Sequence, residues 1–118
     1  MPPSNWNSLF RFSAWQWSEK RKEYYLHQCI VEQPDLNYRN EKVVAEMKEV
    51  LLFWLDKGID GFRIDAIPYI FETVNSDGSY PDEPKSGLCD DVEGTCYLTH
   101  IHTKDLLETY NLVYDWRE

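Results

Sequence analysis

An arginine and an aspartate stand two positions apart in segment 61–66, which reads Gly-Phe-Arg-Ile-Asp-Ala. The alternation of residue types predicts a β-strand in which Arg63 and Asp65 share one face. Because buried charges are costly unless they are paired, the guanidinium would hold the carboxylate ionised and fixed. An ionised, fixed carboxylate can act as a covalent nucleophile. A purely structural Arg63–Asp65 pair at a strand end explains the spacing equally well.

A helix precedes this strand and has to position it. Asn40 is a suitable N-cap and Gly58 is placed to end the helix. Between them, apolar residues recur at three- and four-residue spacing, at Val43, Val44, Met47, Val50, Leu51, Trp54 and Leu55. After Gly58 the period changes to two, which predicts a strand over residues 59–66 that stops before Pro68. Asp65 would then lie at the C-terminal end of the strand, where α/β barrels carry catalytic groups.

The remaining segments are predicted to be mostly irregular. Residues 1–39 are rich in aromatic side chains without a sustained period, which predicts loops and a short hairpin from Trp15 to Leu26. We expect most of these aromatic residues to pack on structure outside the chain. Residues 73–96 read as a long loop, and a second helix is predicted from about Lys104. Loop, helix, strand, loop and helix in this order indicate a parallel α/β structure.

Composition narrows the function without deciding it. The chain has 118 residues, of which 42% are hydrophobic and 28% charged, as in globular proteins. Its net charge of −9 argues against nucleic acid and anionic membranes as partners, and is compatible with a neutral sugar. The longest apolar run, residues 50–55, is far shorter than the roughly 20 residues of a membrane span. No signal-peptide pattern opens the sequence, which in a fragment leaves secretion open.

The three cysteines allow two interpretations. Cys89 and Cys96 could close a short disulfide loop in an oxidising compartment, which would leave Cys29 unpaired. Alternatively, the same two cysteines could bind zinc together with His100 and His102, although the spacing matches no standard zinc pattern.

Two motifs resemble those of glycoside hydrolase family 13, the α-amylase clan. Segment 61–66 resembles the signature of barrel strand four in that family. Segment 33–38, Gln-Pro-Asp-Leu-Asn-Tyr, resembles its short motif near the end of the inserted domain B, in the form found in α-glucosidases and oligo-1,6-glucosidases. One helix separates the two motifs in the family, and the predicted helix occupies that position. Segments 13–15, 24–28, 31–34, 100–105 and 114–117 also resemble insect maltases.

The resemblance implies an α/β fold, a partial (β/α)8 TIM barrel with the end of an irregular domain B. Residues 1–39 would be the C-terminal part of domain B, and residues 40–118 an incomplete segment of the barrel. Within that segment, residues 41–57 correspond to barrel helix three and residues 59–66 to strand four. The loop after strand four and helix four would follow.

The resemblance also assigns roles to single residues. Asp65 matches the nucleophile of a retaining α-glucosidase, which forms a covalent glycosyl–aspartate, and Arg63 matches the arginine that orients it. Ala66, the small residue after the nucleophile, is similar to that of relatives that prefer α-1,4 bonds. Tyr69 is a tentative substrate-binding residue at the mouth of the site, with packing as the alternative. His27 is interpreted as a packed or hydrogen-bonded residue of domain B.

Half of the expected chemistry falls outside these residues. The family carries its acid/base glutamate at strand five and a third acidic residue at strand seven, both after residue 118, so we expect the chain alone to be inactive and to fold poorly. The implied substrate is a maltose-like oligosaccharide. No cofactor or metal is implied for this segment, and calcium is possible elsewhere in the parent protein. The parent would be extracellular or held on the cell surface.

Two alternatives to an enzyme segment remain, and one pair of residues differs from the pattern of the insect enzymes. The heavy chains of heteromeric amino-acid transporters share this barrel and parts of the motifs, so a non-catalytic relative is the main alternative. A truncated gene product without a function of its own is another. The departure is the pair Arg11 and Phe12, which stands where the insect enzymes usually have two glycines.

Overall fold

A computed structural model describes residues 1–117 of the chain. Two strands, two α-helices and two 3-10 turns follow one another: β1 (Trp15–Ser18), β2 (Glu23–Leu26), α1 (Glu41–Asp56), turn Ile67–Tyr69, turn Thr95–Tyr97 and α2 (Leu107–Arg117). The predicted hairpin and both predicted helices are confirmed. The second helix begins three residues later than predicted, at Leu107.

Strands β1 and β2 form an antiparallel hairpin. Trp15 pairs with Leu26, and Trp17 pairs with Tyr24. The rings of Trp17 and Tyr24 meet edge to face, with centroids 5.1 Å apart. Aromatic cross-strand pairs of this kind stabilise a hairpin by up to about 1 kcal/mol relative to alanine, and they hold the strands in register.

Helix α1 begins and ends where local chemistry predicts. The Asn40 side-chain oxygen accepts a hydrogen bond of 3.0 Å from the Lys42 backbone N–H, which is an N-cap. At the other end, Gly58 adopts a φ of 92° and its N–H donates to the carbonyl of Leu55 at 2.9 Å. The left-handed conformation at this position favours glycine, and it stops the helix.

The predicted strand over residues 59–66 does not form. All eight residues are exposed, and the strands within residues 1–117 are only the two of the hairpin. A strand requires a neighbour with which it exchanges backbone hydrogen bonds, and no described segment lies beside residues 59–66 to supply them. The alternation is therefore present in the sequence without the parallel sheet that we predicted from it.

The apolar side of α1 is likewise largely uncovered. None of the helix's residues is buried. Five large apolar side chains are 43–53% exposed: Val50, Leu52, Phe53, Trp54 and Leu55. So large an apolar surface on a short segment is characteristic of a face that another part of a protein covers.

The hydrophobic core lies in the N-terminal part and contains aromatic residues that we expected to pack outside the chain. Trp6 is fully buried, and its ring stacks on Trp15 with centroids 5.6 Å apart. Tyr80 contacts both rings, at 5.5 and 4.9 Å. The Trp6 indole N–H donates to the carbonyl of Pro81 at 2.8 Å. The expectation was wrong for these residues because the long loop folds back over the hairpin, a contact between residues far apart in sequence.

Candidate functional site

Arg63 and Asp65 meet in the structure although the strand that was to align them is absent. Arg63 Nη2 lies 3.2 Å from Asp65 Oδ1, and the two side chains are 90% and 79% exposed. Because Arg63 and Asp65 are only two positions apart, their side chains can reach each other without a regular strand. The arrangement holds the carboxylate by one oxygen and leaves the other accessible.

The residue after Asp65 has an unusual backbone. Ala66 adopts φ 61° and ψ 26°, the left-handed region, and starts the turn Ile67–Tyr69. The Tyr69 N–H closes this turn on the Ala66 carbonyl at 3.0 Å. A residue with a Cβ in this region costs roughly 1–2 kcal/mol, and such residues cluster at functional sites.

Asp65 lines a small cavity together with the second sequence motif. The cavity has a volume of about 130 Å³, and its walls include Tyr38, which ends segment 33–38, and Trp116 from α2. The Tyr38 ring lies 6.5 Å from the Trp116 ring and 6.1 Å from the Phe71 ring. The two motifs, which are far apart in the sequence, therefore lie around one space.

Tyr69 stands apart from this cavity. Lys104 Nζ lies 5.8 Å from the centre of the Tyr69 ring, which is a cation–π contact. The Tyr69 carbonyl faces the Gln28 amide at 3.4 Å. In residues 1–117 this side chain thus packs against its neighbours, the alternative that we considered beside substrate binding.

Gln28 and Arg39 hold the chain that follows Asp65. The buried Gln28 amide donates to Glu72 Oε1 at 2.8 Å and to the Thr103 carbonyl at 3.0 Å. Arg39 donates from Nε and Nη2 to the Glu72 carbonyl, at 3.0 and 2.6 Å. Burial raises the pKa of Glu72 to about 7, and the charge of Asp35 adds to this, whereas the Gln28 hydrogen bond opposes it.

A second cavity, of about 190 Å³, opens beside this cluster. It combines polar groups with aromatic walls: Trp15, Tyr24, Leu26, Asp35, Leu36, Asn37, Arg39, Glu72, Val74 and Tyr80. Burial raises the pKa of Asp35, whose Oδ1 accepts the Gln28 backbone N–H at 3.0 Å. Asp35 and Asn37 of segment 33–38 therefore organise a loop rather than meet Asp65.

A third cavity, of about 430 Å³, lies along the hairpin and was not predicted. Phe10, Arg11, Phe12 and His27 are among the side chains that line it. His27 is 3% exposed, as a packed residue should be, and neither ring nitrogen has a hydrogen-bond partner within residues 1–117. Burial lowers the pKa of His27. Most of the lining residues lie in irregular loops, so no periodicity in the sequence marks the cavity.

A buried carboxylate organises the long loop. Glu83, with a fully buried side chain, accepts from the His102 backbone N–H at 2.9 Å and from Thr103 Oγ1 at 3.1 Å. His100 Nδ1 lies 3.1 Å from Glu83 Oε1. This hydrogen bond raises the pKa of His100. The sequence gives no sign of the cluster, because a single glutamate between prolines looks like a solvent-exposed loop residue.

The cysteines adopt the first of the two predicted arrangements. Cys89 and Cys96 form a disulfide, with Cα atoms 6.0 Å apart, and Cys29 is free and partly buried. The zinc interpretation is therefore wrong. Nowhere in residues 1–117 do three or more His, Cys, Asp or Glu side chains converge to hold a metal ion. No helix in the same range is long and apolar enough to span a bilayer.

The helix, the Arg63–Asp65 pair and segment 33–38 around the same cavity occur in the order that the family resemblance predicts. The chain belongs to the alpha-amylase catalytic domain family, whose model matches residues 1–118.

Relatives with known names agree with this family. The chain is 62% identical over 118 residues to the salivary alpha-glucosidase of Anopheles gambiae, covering 99% of this chain and 20% of the relative. It is 57% identical to maltase A1 of Drosophila melanogaster, covering 99% of this chain and 21% of that protein. The chain thus spans about one fifth of the length of the relatives that it matches.

Two further similarities bear on fold and function. The crystal structure of an alpha-glucosyl transfer enzyme superposes with a TM-score of 0.84 at 35% identity, over 99% of this chain and 22% of that one. An amino acid transporter heavy chain of Rattus norvegicus is 40% identical over 99% of this chain and 17% of its own length. The likeness is consistent with a piece of a (β/α)8 barrel enzyme, and residues 1–117 show the hairpin and two helices of such a piece.

Proposed function

We propose that the chain is a segment of a retaining α-glucosidase, the parent enzyme, which releases glucose from the ends of maltose-like α-1,4-linked sugars. In this proposal residues 1–39 end domain B, and residues 40–118 form helix three, strand four and helix four of the barrel. The observation that carries it is the Arg63–Asp65 contact of 3.2 Å, inside the segment that resembles the family signature and within the range that the family model matches. The identity to proteins named maltase and alpha-glucosidase supports the substrate class.

Asp65 is the nucleophile in the proposed reaction. Its free carboxylate oxygen attacks the anomeric carbon of the terminal glucose, the glycosidic bond breaks, and a covalent glycosyl–aspartate forms. Arg63 holds the other oxygen and keeps the carboxylate oriented. Retention of configuration requires a second carboxyl group at about 5–5.5 Å, which protonates the leaving oxygen and then activates water.

The second carboxyl group is proposed to come from the parent enzyme after residue 118. Among the described carboxylates, Glu72 binds Gln28, and Glu83 is buried among His100, His102 and Thr103. Both are committed to structural contacts. We therefore expect no hydrolysis of maltose by the 118-residue chain alone.

Substrate preference is proposed to depend on the residues that follow Asp65. Ala66 is small and leaves room beside the nucleophile, as in relatives that prefer α-1,4 bonds, and Tyr69 remains a tentative contact of the substrate. The segment itself needs no cofactor. Names of relatives that include the word salivary support an extracellular or cell-surface parent enzyme.

A non-catalytic role is the second candidate. It is favoured by the 40% identity to an amino acid transporter heavy chain. Against it, the segment keeps both members of the Arg63–Asp65 pair, which a binding protein does not need. Measurable turnover by the parent protein separates the two proposals.

The test is kinetic and uses the parent enzyme. Asp65→Asn keeps the shape of the side chain and removes the nucleophile, so kcat on maltose should fall by at least about 10⁴-fold. Asp60→Asn, at an exposed position five residues earlier, is the matched control and should leave kcat unchanged. An Asp65→Asn enzyme with the activity of the wild type would refute the proposal.

A further inference from the structure

Two residues of the N-terminal part hold the chain after Asp65 through hydrogen bonds. Gln28 reaches the Glu72 carboxyl group at 2.8 Å and the Tyr69 carbonyl at 3.4 Å. Arg39 makes two hydrogen bonds to the Glu72 carbonyl and places its guanidinium 5.4 Å from the centre of the Phe71 ring. These contacts lie four to seven residues beyond Asp65.

These hydrogen bonds constrain a strained turn. Ala66 is left-handed, and the turn Ile67–Tyr69 follows it directly. On the opposite side, the Asp105 N–H donates to the Pro68 carbonyl at 2.8 Å. A strained residue with a Cβ persists only when its surroundings over-determine it. The contacts on both sides of the turn supply that constraint.

We propose that Gln28 and Arg39 are positioning residues for Asp65, and that they set its direction by holding the turn 66–72 through Glu72. The inference rests on the proposed function, because it assigns a role to residues that do not touch the reacting atoms. Gln28 lies five residues before segment 33–38 and Arg39 directly follows it, so the proposal explains what that N-terminal segment contributes to catalysis.

Protonation of Glu72 supports this role. Because its pKa is about 7, the partly buried carboxyl group is neutral in mildly acidic solution and becomes charged as the pH rises. The titratable and charged side chains that face it or its partners are Tyr24, Asp35, Arg39, Tyr80 and Glu108. Arg39 is the one cation among them, and its hydrogen bonds go to the Glu72 carbonyl. The Arg39 charge and the Gln28 hydrogen bond favour the charged form, but desolvation outweighs both, so ionisation should draw the carboxyl group toward water and away from Gln28.

The experiment measures kcat, KM and the melting temperature of parent enzyme variants. A displacement of about 1 Å costs on the order of 100-fold in rate, so Gln28→Ala and Arg39→Lys should lower kcat by about 10- to 100-fold. Their KM should change by less than about threefold, because no substrate contact is removed. Gln16→Ala and Arg21→Lys, at exposed positions of the hairpin, are the matched controls.

A second variant keeps the shape of the cluster, in case Gln28→Ala folds poorly. Glu72→Gln retains an amide oxygen that accepts from Gln28 and removes the titration. At pH 6 its kcat should stay within about threefold of the wild type. Its kcat/KM should fall less steeply between pH 6 and pH 8, a change that a merely structural residue would not cause.

The outcomes are separable. If Gln28→Ala and Arg39→Lys lower the melting temperature but leave kcat unchanged, or if Glu72→Gln has the pH profile of the wild type, the positioning role is refuted. An inactive wild-type parent enzyme would instead refute the proposed function, on which the inference depends.

Discussion

Arg63 Nη2 lies 3.2 Å from Asp65 Oδ1, in a part of the chain where neither side chain is buried. An exposed ion pair contributes only about 0–1 kcal/mol to stability, so folding energy does not explain why the two residues stand together. The same pair under the cover of a barrel would hold one carboxylate oxygen and direct the other. The Arg63–Asp65 pair therefore serves to orient the Asp65 carboxylate rather than to stabilise the fold.

Arg63→Ala in the parent enzyme should separate these two effects. Loss of the group that orients Asp65 should lower kcat by about 10²–10³-fold. Arg63→Lys, which keeps the charge without the planar fork, should recover part of this loss. Arg21→Ala, which removes an exposed guanidinium paired with Glu23, is the control. Steady-state kinetics on maltose give the answer, and equal kcat values for wild type and Arg63→Ala would contradict the assigned role.

The stability of the parent enzyme should depend on pH through Glu72. Because folding raises the pKa of this carboxyl group from 4.5 to about 7, the folded state binds the proton more tightly than the unfolded state. The contribution of Glu72 to the free energy of unfolding is fully present below pH 4.5, declines as the pH rises, and is lost above about pH 7. The loss is at most about 3 kcal/mol. Melting temperatures from pH 4.5 to 8 should therefore decline less in Glu72→Gln than in the wild type, and parallel curves would contradict the burial of this group.

The pair of Glu83 and His100 predicts a second dependence on pH. Its hydrogen bond to Glu83 raises the pKa of His100 above the usual 6.5, so the contribution to stability is complete below pH 6.5 and is lost as the pH rises through the higher folded value. Breaking a buried pair by removing one partner costs about 3–5 kcal/mol. Glu83→Ala should lower the free energy of unfolding by this amount, whereas Glu19→Ala, at an exposed position, should not. A small effect of Glu83→Ala on the free energy of unfolding would contradict the burial of this carboxylate.

The disulfide loop and the Arg11–Phe12 pair meet in space, and reduction should affect both. The Phe12 N–H donates to the Glu93 carbonyl at 2.7 Å, and Arg11 Nη2 lies 3.2 Å from Asp91 Oδ1. Both Arg11 and Phe12 are left-handed, with φ of 85° and 65°.

Replacing Cys89 and Cys96 together by serine should cost about 2 kcal/mol, the loop-closure entropy of so short a disulfide loop. It should also speed hydrogen exchange of the Phe12 amide, because the loop that accepts its hydrogen bond is released. Cys29→Ser, which removes the free thiol, is the control. Unchanged exchange at Phe12 would show that the disulfide does not brace this turn.

Local chemistry explains which parts of the fold were predictable. The cap at Asn40, the stop at Gly58 and the hairpin from Trp15 to Leu26 depend on neighbours in sequence, and they form as predicted. The strand over residues 59–66 depends on partner strands, so its alternation alone could not produce it. The same reason accounts for the false expectation about the aromatic residues of the N-terminal part.

The site shows the same division. The Arg63–Asp65 contact joins residues two positions apart and follows from their spacing. Gln28 and Glu72 are 44 residues apart, and Glu83 and His100 are 17 apart. No period connects such pairs. Their partners become visible only when the loops are placed, which is why the sequence pointed to Asp65 and missed the groups around it.

Trapping of the covalent intermediate tests the central claim most directly. The parent enzyme would be incubated with 5-fluoro-α-glucosyl fluoride, a substrate analogue that forms the glycosyl–enzyme quickly and releases it slowly. Peptide mass spectrometry should find one fluoroglucosyl group, attached to Asp65, in the wild type and in Asp60→Asn, and none in Asp65→Asn. A label on any other carboxylate, or an active enzyme that is never labelled, would contradict the assignment of Asp65 as the nucleophile.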